Sequence, residues 1–184
     1  MPVLINVVNM RLTWSLLLIS SCFLLFSCDS NTHETRKIAD PSKAKEPLLR
    51  ANQHMVRNED AQIDAYIARY GWPMNRTGTG LRYWIYKKVN GESVKSGDKV
   101  KISYRVTLLN GEVCYDSRKD GNMGFEIDKG GAVNGLHEGI ILMHTGEKAK
   151  FIVPSHLAFG LLGDQQKIPQ RATLIYDIEF LSHN

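Results

Sequence analysis

Few side chains in this sequence are of types that do covalent chemistry, and their settings argue against it. Cys114 stands between Val113 and Tyr115, and the sequence assigns it no histidine or acid that would take its proton. It reads as a small outward or edge residue of a strand. His137 and His144 fall near one short helical stretch, but no third metal ligand accompanies them. They read as solvent-facing, and neither a metal nor another cofactor is expected. Asp116 precedes Ser117 and Arg118 and suits a turn. Tyr104, Phe125 and Tyr176 each alternate with apolar residues, which by itself is the pattern of a packed strand face. Taken singly, none of these residues demands a catalytic role.

The elements that must position them follow from periodicity. From 47 to 70 the apolar residues Leu48, Met55, Ile63, Tyr66, Ile67 and Tyr70 recur at roughly helical spacing. Asn58, Glu59 and Asp60 suit a helix start within this stretch, and Gly71 with Pro73 a stop. The period then changes to two. Leu81, Tyr83 and Ile85 alternate, as do Val100, Ile102, Tyr104, Val106 and Leu108. Asn90-Gly91 and Asn110-Gly111 are tight-turn signals. Further strands are expected at 113–116, around Phe125 and Ile127, at 149–153 and at 174–180, with a short helix at 133–143. The fold class is α+β: about five antiparallel strands on one short helix, with an N-terminal helical extension.

The N-terminal segment reads as an address. Residues 12–26 are uncharged and mostly apolar, follow Arg11, and end at Leu25-Phe26-Ser27-Cys28. The run is shorter than the roughly 20 apolar residues of a spanning helix. It resembles a bacterial lipoprotein signal, with Cys28 the acylated residue. Cys22 also fits by residue type, but cleavage there would leave Phe23 to Phe26 on the mature chain. Met10 is a second possible start. The expected organisation is a signal peptide (1–27), a flexible tether (28–46), a helical lead-in (47–78) and a globular domain (79–184, core 96–181). The domain is expected in the periplasm, held to a membrane by the lipid.

The chain has 184 residues, 43% hydrophobic and 23% charged, and a net charge of +4 with no Lys/Arg block. That balance gives no footprint for nucleic acid. The three cysteines are Cys22, Cys28 and Cys114, so no disulfide within the folded part is expected.

Six ordered segments resemble the FK506-binding (FKBP) family of prolyl isomerases. Val100-Lys101-Ile102-Ser103-Tyr104 is similar to its first long core strand. Asn110 to Ser117 resembles its DG-x-x-FDSS turn and strand, and Val133-Asn134-Gly135-Leu136-His137-Glu138-Gly139 its I-x-GWEEG helix. Residues 143–149 resemble M-x-x-GEKA, Ala158-Phe159-Gly160 resembles AYG, and Ile168-Pro169 with Ala172-Thr173-Leu174 resembles IPP-x-ATL. With the lead-in and the lipid signal, the chain is also similar to FKBP-type lipoproteins associated with gliding motility.

The resemblance implies a peptidyl-prolyl cis-trans isomerase. An X-Pro amide turns slowly because resonance must be broken, a barrier of about 18–20 kcal/mol. An apolar pocket penalises the planar, polar amide more than the twisted one. Lowering the barrier by about 5.5 kcal/mol gives roughly 10⁴-fold acceleration without any covalent step. By family correspondence Tyr104, Phe125, Val133, Leu136 and Tyr176 would line the proline site, with Tyr115 and Asp116 at its wall. Asp116 would meet the twisting backbone and hold the Tyr104 hydroxyl. Val133 would offer its N–H to a substrate carbonyl. Ile168 would present an apolar side chain from the flap. Leu136 stands where many relatives have tryptophan, and Phe159 where a tyrosine hydroxyl donates to ligand, a loss of about 1 kcal/mol. The partners implied are proline-containing polypeptides, a macrolide inhibitor, and a second copy meeting along 47–70. The alternative is a low-activity FKBP-fold binding module or scaffold in an envelope machinery.

Overall fold

Alternation between apolar and polar residues builds most of this molecule, which is described here from a computed structural model covering residues 41–184, with side chains from 45. A long helix α1 (Pro41–Tyr70) leads into β1 (Asn75–Arg76) and β2 (Arg82–Lys87). Then come β3 (Lys99–Leu108), β4 (Val113–Asp116), a one-turn helix α2 (Ser117–Asp120) and β5 (Met123–Glu126). Helix α3 (Asn134–Ile141), β6 (Lys148–Val153), a 3-10 turn (Ser155–Leu157) and β7 (Leu174–His183) complete the chain. The strands form one antiparallel sheet in the order β1-β2-β6-β7-β3-β4, and β5 also pairs with β3.

The main core lies between the inner face of the sheet and α3. In β3, Val100, Ile102, Val106 and Leu108 turn inward and are buried, while Lys99, Lys101 and Arg105 face out. Leu136 and Ile140 of α3 meet them with no exposed surface. The helix can come this close because two glycines face β6. A Cβ on Gly135 would lie 2.4 Å from Val153 Cγ1, and one on Gly139 would lie 2.3 Å from Phe151 Cε2.

The outer face of the sheet has its own smaller core. Ile63 of α1 packs with Ile152 and Ile175, joined by Tyr66, Ile67, Trp72 and Met74. Burying Ile63 completely contributes about 1.5–3 kcal/mol. Polar bonds fix the register of α1. Arg82, its side chain 3% exposed, donates to Asp60 at 3.1 Å and Asp64 at 2.9 Å. Arg76 donates to Asp60 from the other side at 2.9 Å. Because α1 covers them, β6 and β7 bury residues on both faces, which explains the near-continuous apolar run Phe151-Ile152-Val153.

Several expectations change. The helix begins at Pro41, inside the stretch read as a tether, and runs through Pro47 and Asn58 without a break. Pro47 stands in an exposed part of the helix, where water can satisfy a carbonyl left free. The sheet has seven strands, since the two-residue β1 forms only by pairing with β2 (Asn75 with Tyr83, Arg76 with Arg82). Asn90-Gly91 is not a hairpin turn. Gly91 lets the chain pass against Thr145, whose carbonyl oxygen would sit 2.1 Å from an added Cβ. Cys114 points inward and is 3% exposed, not at an outward edge. Its thiol donates to the Lys167 carbonyl at 3.6 Å, and burial pushes its pKa up. His137 is also buried, packed edge-on against Phe125 at 5.0 Å, and accepts from the Asp128 N–H at Nδ1. His144 is exposed, as expected. The signal peptide, Cys22, Cys28 and the first part of the tether lie outside the described residues.

Candidate active site

A cavity of about 430 Å³ opens between α3, β5, β7 and the connection from β6 to β7, called the flap (154–173). Its lining includes Val133, Leu136, Phe159 and Tyr176, four of the residues expected at a proline site. Leu136 comes from the first turn of α3, where it is fully buried and forms the floor. Tyr176 rises from β7, 2% exposed. Burial pushes its phenol pKa well up, and Tyr104, Cys114, Asp164 and Tyr115 stand close enough to add to the effect. Phe159 leans in from the flap with 38% of its surface exposed. Val133 precedes α3 in extended backbone, and its carbonyl accepts from Leu136 and His137. No group among the described residues accepts from the Val133 N–H.

Phe125 is not part of this wall. It is 6% exposed and packs behind it, against His137 and Gly131. Met123, two residues earlier on the same face of β5, lines the cavity instead, beside Ala132 and Ala158. Side chains two apart on a strand share a face. The sequence pattern therefore could not tell which of the two would reach the opening.

Asp116 does not hold the Tyr104 hydroxyl. Its carboxylate caps α2, accepting from the Arg118 N–H at 3.0 Å and from Arg118 Nε at 2.9 and 3.2 Å. Arg105 approaches to 3.6 Å. The Arg118 side chain, then its backbone N–H, hold Asp116 well below the usual carboxylate range. Tyr104 lies on the inward face of β3, and its N–H donates to Ser117 Oγ at 3.1 Å. Burial, then the charges of Asp120 and Asp116, raise its phenol pKa. Tyr104 and Asp116 border a separate depression of about 360 Å³ with Ser103, Arg105 and Arg118.

The expectations for Ile168 and Tyr115 also shift. Ile168 is 4% exposed and joins the core rather than facing out. The apolar groups the flap exposes are Phe159, Leu161 and Leu162. Tyr115 does not line the cavity; its hydroxyl donates to Asp164 on the flap. Asp164 in turn accepts from the Ile168 N–H at 2.8 Å and the Gln166 N–H at 2.9 Å. Lys167 Nζ lies 4.5 Å from the centre of the Tyr115 ring. Among the described residues no His, Cys, Asp and Glu groups gather as for a metal, and no helix is long and apolar enough to cross a membrane.

An apolar cavity floored by the first turn of a short helix, under a wrapped antiparallel sheet, defines an FKBP-like domain. Residues 90–181 match the family described as FKBP-type peptidyl-prolyl cis-trans isomerase, and the chain belongs to that family. It is 44% identical over 92 residues to FK506-binding protein 2 of Dictyostelium discoideum, covering 49% of this chain and 68% of that protein. It is 34% identical over 149 residues to a probable FKBP-type peptidyl-prolyl cis-trans isomerase of Haemophilus influenzae, covering 80% of this chain and 59% of that one. Among solved structures, AtFKBP13 superposes with a TM-score of 0.58 at 27% identity, covering 61% of this chain and all of that one. FkpA of Escherichia coli has the same fold, with a TM-score of 0.61 at 24% identity, covering 90% of this chain and 78% of that one. The chain spans from just over half to about two thirds of the length of the first curated relatives it matches.

Proposed function

We propose that this chain is a peptidyl-prolyl cis-trans isomerase acting on proteins of the cell envelope. The carrying observation is the cavity of about 430 Å³ walled by Met123, Leu136, Phe159 and Tyr176. A proline ring seated on Leu136 and against Tyr176 leaves water behind, and the planar amide loses more solvation than the twisted one. The free N–H of Val133 receives a carbonyl of the bound peptide. Every step is non-covalent, so no nucleophile is needed. Tyr104 shares the inward face of the sheet with Tyr176. Exchange spectroscopy on an X-Pro peptide, with a macrolide titrated as inhibitor, tests the reading. Acceleration at micromolar enzyme is expected; none would overturn it.

Acylation at Cys28 places the domain in the periplasm, tied to a membrane. Mass analysis of the mature N-terminus reads this directly: acyl mass on Cys28, lost in Cys28→Ser, is expected, and acyl mass on Cys22 would relocate the anchor. A second reading, a binding module with little catalysis, is favoured by Phe159 and Leu136, which lack the hydroxyl and the flat ring usual in the family. Capture of a partner that survives mutation of the cavity would support it. The exposed Leu48, Leu49 and Val56 of α1 suit contact with a second copy. Sedimentation with and without the residues before Thr77 checks that, and an unchanged monomer rejects it.

A further inference from the structure

Glu59 of α1 lies outside the family-matched segment, yet it binds both ends of the flap. Its Oε1 accepts from the Ser155 N–H at 2.6 Å and from the Thr173 hydroxyl at 2.6 Å. Its Oε2 accepts from the Ser155 hydroxyl at 2.9 Å. Ser155 opens the flap just after β6, and Thr173 closes it just before β7. One carboxylate therefore ties together the two feet of the loop.

The tie extends to the cavity wall. The Ser155 carbonyl accepts from the Ala158 N–H at 3.1 Å and from the Gly160 N–H at 2.9 Å. These are the two neighbours of Phe159. The Gly160 carbonyl accepts in turn from the Arg171 N–H at 2.7 Å, joining the outgoing and returning halves of the flap. Phe159 is too exposed for packing alone to fix it. The Tyr115–Asp164 and Cys114–Lys167 bonds hold only the far part of the loop, from 164 to 168. The near part, with Ala158 and Phe159, is held by His156 Nε2, 2.9 Å from the Thr79 carbonyl, by Leu157 and Ala158 packing on the core, and through Ser155 by Glu59.

We propose that Glu59 is a positioning residue for prolyl-peptide binding. It sets the flap so that Ala158 and Phe159 close the cavity, and α1 is thereby part of the machinery rather than only a lead-in. The inference rests on the reading of the cavity as the X-Pro site. Its chemistry is open to isolation, because α1 is docked independently by Arg82 on Asp60 and Asp64 and by Ile63.

The test compares the full chain with Glu59→Ala and Glu59→Gln. The glutamine keeps an oxygen for the Ser155 N–H and the Thr173 hydroxyl and offers an N–H to Ser155 Oγ. Glu59→Ala is expected to raise KM about fivefold while kcat stays within about twofold, since a loosened grip weakens ground and transition states alike. Amide exchange at Ala158 and Gly160 is expected to quicken about tenfold, as local opening becomes easier. Glu59→Gln is expected to restore both. Should Glu59→Ala not fold, the double variant Ser155→Ala and Thr173→Val removes two of the three bonds from the flap side and is expected to shift KM and exchange in the same direction. Wild-type KM and exchange in Glu59→Ala, or in the double variant, would overturn the proposal. So would a Glu59→Gln variant as impaired as Glu59→Ala. A wild-type chain that turns no X-Pro bond would instead overturn the isomerase reading, and the exchange comparison would still decide whether Glu59 fixes the flap.

Discussion

Tyr115 of β4 donates its hydroxyl to Asp164 of the flap, fastening the loop to the sheet across a separation of 49 residues. The bond shifts both partners. Hydrogen bonding to Asp164, then burial, raises the Tyr115 phenol to about 12. Burial opposes ionisation of Asp164, but the bond from Tyr115 and the N–H groups of Ile168, Gln166 and Lys167 outweigh it, and the carboxyl titrates below its usual value. The phenol must keep its proton, so the contribution of Tyr115 is full below its unfolded pKa of about 10 and fades as pH rises toward 12. The carboxylate must stay ionised, so the contribution of Asp164 is full above about pH 4 and is lost in acid. Flap amide exchange followed against pH should show a protected plateau between these limits. Tyr115→Phe should abolish the alkaline limb and cost about 1 kcal/mol in urea unfolding, a low figure because the pair is only part-buried.

Met123 and Phe125 separate binding from stability. Met123→Ala should lower kcat/KM about threefold to tenfold, with little change in the urea midpoint, because it removes a wall of the cavity. Phe125→Ala should do the reverse. It empties a buried site and should cost about 3–5 kcal/mol, while the folded fraction keeps its activity. Equal effects of the two variants on kcat/KM would misplace the cavity wall.

Gly139 permits the close approach of α3 to Phe151. Gly139→Ala gains up to about 1 kcal/mol in helix propensity but forces a contact that typically costs about 1–3 kcal/mol. Net destabilisation of about 1–2 kcal/mol is expected by urea unfolding. Because Leu136 shares this helix, KM should rise as the floor moves outward.

Phe159→Tyr supplies a hydroxyl at the mouth of the cavity. If it reaches the bound peptide, one neutral hydrogen bond of about 1 kcal/mol should lower KM about fivefold. The variant should leave the urea midpoint unchanged, since the ring edge already meets solvent.

Much of this could be read from residue order. The alternation from Val100 to Leu108 gave a strand whose inward face is the core, and 133–143 gave α3 to within two residues at each end. Leu136, Val133, Phe159 and Tyr176, all named from residue order, line one cavity. Legibility failed where position depends on three dimensions. Alternation alone cannot separate Met123 from Phe125, since both face inward. Asp116 carries the signature of a turn residue, and the cap on Arg118 uses it that way. The bonds of Glu59 to Ser155 and Thr173 bridge 96 and 114 residues and leave no local pattern to find.

The short outer strands have a consequence for how the sheet meets other chains. At one side the sheet ends in the two-residue β1 and, beyond it, in the last four residues of β2, 84–87. At the other, the margin is divided between β4 and β5, four residues each, with the turn of α2 between them. An incoming extended segment finds no long row of free backbone donors and acceptors to copy. Edge-to-edge pairing with a second copy or another extended chain is thereby disfavoured.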